Sequence, residues 1–153
     1  MADYKKLIFV CMDNMLRSPV AEALMKNLSP VGDLQVISRG LIVLFSEPYN
    51  PKARALLMGR DIILGNGSSI QLSGEDITPD TLILTMDKEE KNKLSEEFPE
   101  AENVYTIMEF AGENGDIIDP YGGSGEVYNL FFESISKWVC AVHDILKELK
   151  KET

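Results

Sequence analysis

The chain has 153 residues, of which 44% are hydrophobic, and a formal net charge of −10 at pH 7. This length and apolar content predict one domain with a substantial core. The acidic balance excludes nucleic acid as an expected partner, because phosphate backbones are bound by basic faces. We expect no membrane span and no secretory signal. With two cysteines, a disulfide framework is not expected, and a reducing cytoplasm is the predicted location.

Segments typical of strands and helices alternate along the chain. The predicted elements are a strand over 6–10, a helix over 19–28, a strand over 34–38, a helix over 51–59, a strand over 81–86, a helix over 87–97, a short strand over 103–107 and a helix from about 125 to 150. This alternation predicts an α/β fold, a single domain over 1–153. Its four-stranded parallel sheet is expected to carry helices on both faces.

Capping residues predict where the first two helices begin. Ser18 is predicted to cap the first helix, with Pro19 as its first residue. Asn50 is predicted to cap the second helix, which Pro51 opens.

Two later helices are predicted to lie outside any functional site. The acidic segment over 87–102 is interpreted as a solvated face. The last helix carries an apolar stripe that is predicted to be core, while Cys140 and His143 fall toward its polar side. The members of the stripe are Val127, Phe131, Ile135, Trp138, Val142, Ile145 and Leu149.

A short loop after the first strand combines a thiol with a guanidinium. Five residues separate Cys11 from Arg17, a Cys-x5-Arg spacing that is weak alone but here joins a strand to a helix start. The backbone N–H groups of such a loop can turn inward to bind an anion, and the helix N-terminus favours negative charge. These surroundings predict a lowered thiol pKa at Cys11. The thiolate would face a phosphorus atom whose oxygens Arg17 holds.

The Asp119-Pro120 pair supplies a candidate acid. A positioned carboxyl group can protonate a departing oxygen and later activate water. Pro120 restricts Asp119 to extended backbone conformations, so the acid is predicted to sit on a rigid turn. Ligands of open parallel sheets bind beyond the carboxyl ends of the strands. We therefore expect Cys11 and Asp119 to meet at that edge.

Taken together, these segments resemble the low-molecular-weight protein tyrosine phosphatase family over nearly the whole chain. The resemblance implies a cysteine-dependent phosphatase that hydrolyses protein phosphotyrosine through a phosphocysteine intermediate, without metal or other cofactor. It assigns Cys11 as nucleophile, Arg17 as phosphoryl-binding residue and Asp119 as general acid. The segments that carry it are Val10-Cys11, Arg17-Ser18-Pro19, Ala21-Glu22, Ser38, Asn50-Pro51-Lys52-Ala53, Leu82 to Asp87 and Asp119-Pro120-Tyr121.

The same likeness implies roles for the residues around these three. The loop residues would bind phosphate through their backbone, and Ser38 would support the loop together with Asn14 and Ser18. Four apolar and aromatic residues would wall the substrate cleft. The phosphate-binding loop comprises Met12, Asp13, Asn14, Met15, Leu16 and Ser18, and the cleft residues are Leu44, Phe45, Tyr49 and Tyr121.

Two loop residues depart from the family pattern. Asp13 stands where glycine is usual and Leu16 where a second cysteine is usual. Aspartate tolerates a positive φ better than most residues, but its charge opposes a phosphate if it points inward. Leu16 removes a possible disulfide partner, so oxidation of Cys11 is expected to proceed more readily to irreversible acids.

Three other functions remain open. Phosphoarginine hydrolysis occurs in some bacterial relatives, which carry a small polar residue where this chain has Met15, so that Met15 favours tyrosine. Arsenate reduction needs a relay of cysteines, for which Cys140 alone is poorly placed. A phosphate-binding module with lapsed catalysis would explain Asp13. The expected partner is a phosphorylated protein, and we expect a monomer or weak dimer.

Overall fold

A computed structural model describes residues 3–65 and 67–152 of the chain. Its strands are β1 (Lys6–Cys11), β2 (Gln35–Gly40), β3 (Thr81–Thr85) and β4 (Val104–Thr106). Its α-helices are α1 (Arg17–Asn27), α2 (Pro51–Met58), α3 (Lys88–Glu97), α4 (Ile107–Phe110) and α5 (Gly125–Lys151), and a 3-10 turn spans Gly74–Asp76. The predicted domain also includes residues 1, 2, 66 and 153, which lie outside the described residues.

All four strands are parallel and lie in the order β2-β1-β3-β4. Strand β1 is central, with Lys6 opposite both Gln35 of β2 and Thr81 of β3. Its alternate side chains enter two separate cores: Phe9 packs with α1 and α5, and Val10 packs with Leu94 of α3. Helices therefore cover both faces, and the α/β prediction is confirmed.

Helix α1 begins two residues before the predicted start. Its N-cap is Leu16, which makes no side-chain cap hydrogen bond, so the prediction of Ser18 as cap is wrong. The Ser18 hydroxyl lies instead 3.0 Å from Cys11 Sγ and accepts a hydrogen bond from Asn14 Nδ2. The predicted cap of α2 is confirmed, since Asn50 Oδ1 accepts a hydrogen bond from the Lys52 N–H at 2.8 Å.

Helix α5 buries a wider face than the apolar stripe predicted from the sequence. Phe131, Ile135 and Val142 are buried as predicted, and Cys140 is exposed. His143 is buried, with Nε2 2.7 Å from the Ser29 carbonyl oxygen, so its predicted place on a polar side is wrong. The helix contacts both α1 and α4, which explains the extra width. The additional buried apolar residues are Tyr128, Phe132, Val139 and Leu146, whereas Val127, Trp138, Ile145 and Leu149 are half-buried.

Helix α4 was not among the elements predicted from the sequence. Its N-cap Thr106 accepts a hydrogen bond from the Glu109 N–H, and the Glu109 carboxylate accepts one from the Thr106 N–H. This reciprocal pair ends β4 and starts the helix, and the Thr-x-x-Glu spacing was the signal that could have revealed it. Within the described residues, the longest helix is too polar to cross a lipid bilayer and the others are too short or too polar.

Candidate active site

The phosphate loop joins β1 to α1 at the carboxyl end of the central strand. Cys11 is the last residue of β1 and is almost completely buried. Its Sγ accepts a hydrogen bond from the Asn14 N–H at 3.3 Å and lies 3.0 Å from Ser18 Oγ. The sulfur is thus held by the first turn of the loop and by the first turn of the helix.

Asn14 connects the loop to three surrounding segments. Its Nδ2 donates to Ser18 Oγ at 2.9 Å and to Ser38 Oγ at 3.0 Å, and its Oδ1 accepts from the Ile70 N–H at 2.9 Å. Its φ is +56°, a left-handed conformation that asparagine adopts more readily than most residues. The positive φ considered for Asp13 therefore falls on Asn14 instead.

Gly40, at the end of β2, permits the close packing beneath the loop. A Cβ on this residue would lie 2.6 Å from Val43 Cγ2 and 3.0 Å from the Asn14 backbone nitrogen. A side chain here would push the loop away from the sheet, so glycine is required for this approach.

Arg17 is buried and its guanidinium is held by three acceptors. Nη2 donates to Glu90 Oε2 at 2.7 Å, while Nη1 donates to Asp87 Oδ2 at 3.2 Å and to the Ile117 carbonyl at 3.0 Å. Glu90 is also buried, and its Oε1 accepts from the N–H groups of Met86 and Asp87. The segment interpreted as a solvated face thus contributes two carboxylates to the site. Its Asp87-x-x-Glu90 capping spacing was the available signal.

The charges around the sulfur oppose one another. Burial raises the pKa of the Cys11 thiol and is the largest effect; the Ser18 hydrogen bond and the Arg17 charge lower this pKa, and the Glu90 charge raises it. The net direction is upward in the unliganded site, opposite to the lowering that the loop and the helix N-terminus predict. The reason is that water is excluded from the sulfur while the charge of Arg17 is balanced by neighbouring carboxylates. Ser18 and Arg17 are the groups that favour the thiolate.

The loop that carries Asp119 is tied to Arg17. The Ile117 N–H donates to the Met86 carbonyl at 2.8 Å, and the Ile117 carbonyl accepts from Arg17. Two residues later, Asp119 Oδ1 accepts a hydrogen bond from the Tyr121 N–H at 3.1 Å. Burial acts to lower the pKa of Arg17 and is the largest single effect, but the charge of Glu90 and, to a smaller extent, that of Asp119 raise it, and the net direction is upward.

Arg17 and Asp119 share a cavity of about 210 Å³ at the mouth of the loop. It brings Arg17 and Asp119 together, as expected for an acid that serves a phosphoryl group bound by the arginine. The residues that line it are Asp13, Met15, Leu16, Arg17, Glu47, Asn50, Asp119 and Tyr121.

Three of the four predicted cleft residues do not line this cavity. Leu44 and Phe45 are 83% and 79% exposed, and Tyr49 lines a different cavity beside Pro19. Tyr121 lines the mouth cavity, and the cleft roles of all four residues stay predictions. The reason lies in the loop after β2, where the Glu47 N–H donates to Ser69 Oγ and Ser46 Oγ donates to the Ser69 carbonyl. Pinned in this way, the loop contributes Glu47 and Asn50 to the mouth. The Met12 side chain packs against the core cluster around Ile8 and Val10.

A thiol, a guanidinium and a carboxyl group around one loop define a cysteine-dependent phosphatase. The model of the family described as low molecular weight phosphotyrosine protein phosphatase matches residues 6–153. The chain belongs to this family.

Curated relatives in staphylococci agree with this assignment. The protein PtpB of Staphylococcus haemolyticus (strain JCSC1435), named a low molecular weight protein-tyrosine-phosphatase, is 33% identical over 130 residues, covering 85% of this chain and 91% of the relative. PtpB of Staphylococcus aureus is 30% identical over 141 residues, covering 92% and 99% respectively.

Solved structures share the whole fold. The YwlE arginine phosphatase of Geobacillus stearothermophilus has a TM-score of 0.90 at 31% identity, covering 97% of this chain and 96% of its own. The low molecular weight protein tyrosine phosphatase of T. tengcongensis has a TM-score of 0.83 at 31% identity, covering 91% and 97%.

Proposed function

We propose that the protein hydrolyses phosphotyrosine in proteins in two steps. The Cys11 thiolate attacks phosphorus, so that a sulfur–phosphorus bond forms while the bond to the phenolic oxygen breaks and Asp119 protonates that oxygen. Water then attacks phosphorus, Asp119 takes a proton from the water, and the sulfur leaves as a thiolate. The observation that carries the proposal is the meeting of the Cys11 loop, Arg17 and Asp119 at the end of β1.

The remaining groups of the loop support this route. Arg17 and the loop N–H groups are donors aimed at the phosphoryl oxygens, whose negative charge they stabilise as it redistributes. Ser18 Oγ, 3.0 Å from Cys11 Sγ, favours the charged sulfur both before attack and when it leaves. The positive charge that the reaction requires comes from Arg17, so the proposed route assigns no step to a metal.

Replacing the nucleophile tests the proposal directly. We expect Cys11→Ser to lower kcat for para-nitrophenyl phosphate at least about a thousandfold, as in other enzymes that lose a nucleophile. The matched control is Cys140→Ser, because Cys140 is an exposed thiol on α5. Turnover by Cys11→Ser at the rate of this control would contradict the proposal.

Phosphoarginine is a second candidate substrate, favoured by the charge of the mouth. Asp13, Glu47 and Asp119 all line the cavity, and carboxylates favour a leaving group that carries a guanidinium. A structural relative is named an arginine phosphatase. Met15, which also lines the mouth, favours the aromatic substrate. The ratio of phosphate released from phosphotyrosyl and phosphoarginyl forms of one peptide would decide between the two.

We propose further that the substrate is a phosphorylated protein in a reducing cytoplasm. Cys11 and Cys140 are both free thiols, which such a compartment preserves. We also propose a monomer or a weak dimer, which light scattering over a range of concentrations would test.

A further inference from the structure

Asp13 points into the phosphate loop. Its Oδ1 accepts a hydrogen bond from the Met15 N–H at 3.1 Å, and the same oxygen lies 3.9 Å from Cys11 Sγ. The residue also lines the mouth cavity. One carboxylate oxygen therefore lies between a loop amide and the nucleophile.

A bound phosphoryl group would need this position. Reacting atoms approach to about 3–3.5 Å before an in-line attack, which brings the phosphoryl oxygens close to the sulfur. Each inward N–H of an anion-binding loop donates to one of these oxygens. The Met15 N–H is already used by Asp13, so a phosphoryl oxygen and the Asp13 oxygen compete for the same donor.

The surrounding charges do little to relieve this competition. Glu90 and Asp87 already pair with Arg17, the cation of the loop. Glu47 and Asp119 add negative charge at the mouth. Asp13 is exposed, so solvent screens its charge in part, but like charges still disfavour each other, and the Asp13 carboxylate repels a phosphoryl dianion that binds the same amide.

We propose that Asp13 is a specificity-determining residue that competes with the phosphoryl group for the loop. Its carboxylate holds the Met15 N–H in the unliganded protein, and a phosphoryl oxygen binds by displacing it. Asp13 weakens the binding of a dianion most where no cation lies beside the phosphoryl group, and less where an adjacent positive charge offsets the carboxylate. This inference rests on the proposed function, since it concerns the same loop.

The test is the affinity of the full chain for inorganic phosphate, measured by titration calorimetry at pH 8. We expect Asp13→Ala to bind phosphate about tenfold more tightly or better, since it removes both the charge and the competing acceptor. Asp13→Asn should gain less, because its amide oxygen still accepts from Met15. The matched comparison is Glu47→Gln, which removes a charge from the same mouth but no acceptor from the loop, and its gain in affinity should be smaller than that of Asp13→Ala.

Three results would overturn the inference. The first is a gain in Asp13→Ala below about threefold, or no greater than that of Glu47→Gln. If circular dichroism shows that Asp13→Ala does not fold, the Asp13→Asn variant is used in its place. The second result is then that Asp13→Asn binds phosphate no more tightly than the unmodified chain. The third is that Asp13→Ala increases the affinity for free phosphoarginine as much as the affinity for phosphate. The guanidinium of phosphoarginine should offset the charge of Asp13, so the expected increase is smaller.

Failure of the proposed function would look different. Variants that bind phosphate as expected but leave para-nitrophenyl phosphate unhydrolysed would refute the catalytic proposal. The competition between Asp13 and the phosphoryl group would stand, because it is measured by binding alone.

Discussion

At the scale of single residues, the buried pair of Arg17 and Glu90 links charge to reactivity. The two side chains are 2.7 Å apart. Burial raises the pKa of Glu90 to about 7, although the Arg17 charge acts to lower it. Glu90 is therefore neutral below this pH and negative above it. Because its negative charge raises the pKa of Cys11, its titration alters the nucleophile.

We expect Glu90→Gln to lower the pKa of the Cys11 thiol, because the substitution removes a negative charge that opposes the thiolate. The measurement is the rate of alkylation by iodoacetamide as a function of pH. The variant should react faster than the unmodified chain above about pH 7 and at the same rate well below it, where Glu90 is protonated. Glu89→Gln, an exposed neighbour on α3, serves as control. Identical profiles for Glu90→Gln and the unmodified chain would refute this coupling.

At the scale of elements, Asn14 fixes the loop relative to β2 and to the segment around Ile70. Its side chain makes three hydrogen bonds while its backbone holds φ at +56°. Asparagine suits position 14 for two reasons. Its side chain forms hydrogen bonds with buried polar groups, and its backbone tolerates the left-handed conformation.

Two substitutions at position 14 separate these contributions. Asn14→Ala should lower the free energy of unfolding by roughly 2–4 kcal/mol, through lost hydrogen bonds and backbone strain. Asn14→Gly loses the same hydrogen bonds without the strain, so it should be about 1 kcal/mol more stable than the alanine variant. Urea unfolding would measure both. An alanine variant within about 0.5 kcal/mol of the unmodified chain would contradict this role.

At the scale of the whole molecule, α5 closes the core over the sheet. Phe131 is fully buried, and its neighbour Leu130 is 55% exposed. We expect Phe131→Ala to lower the free energy of unfolding by about 3–5 kcal/mol, because it opens a cavity in the core. The control Leu130→Ala should change it by less than about 0.5 kcal/mol. An equal decrease in the free energy of unfolding for the two variants would contradict the packing of Phe131 in the core.

Local signals explain what the sequence could predict. Apolar runs located all four strands, and Asn50 and Pro51 located the start of α2. The Ser18 prediction failed because the hydroxyl is used by Cys11 and Asn14. Helix α4 was not predicted because it has four residues, which are too few to show helical periodicity.

Long-range contacts explain what the sequence could not predict. The pairing of Arg17 with Glu90 joins two segments far apart in the chain, and no local pattern specifies it. The exposed positions of Leu44 and Phe45 follow from the loop after β2, which is pinned to Ser69, and their role in a substrate cleft stays a prediction. The raised pKa of Cys11 likewise depends on burial, which follows from the complete fold.

In the proposed reaction, Cys11 carries the phosphoryl group during turnover. The most direct test is to mix Asp119→Asn with para-nitrophenyl phosphate, quench rapidly and identify the modified peptide by mass spectrometry. Para-nitrophenolate leaves readily without an acid, whereas hydrolysis of the intermediate still needs the Asp119 carboxylate, so the intermediate should accumulate. We predict a phosphoryl group on the sulfur of Cys11. Release of nitrophenol with the phosphoryl group absent from Cys11 at every quench time would contradict the account.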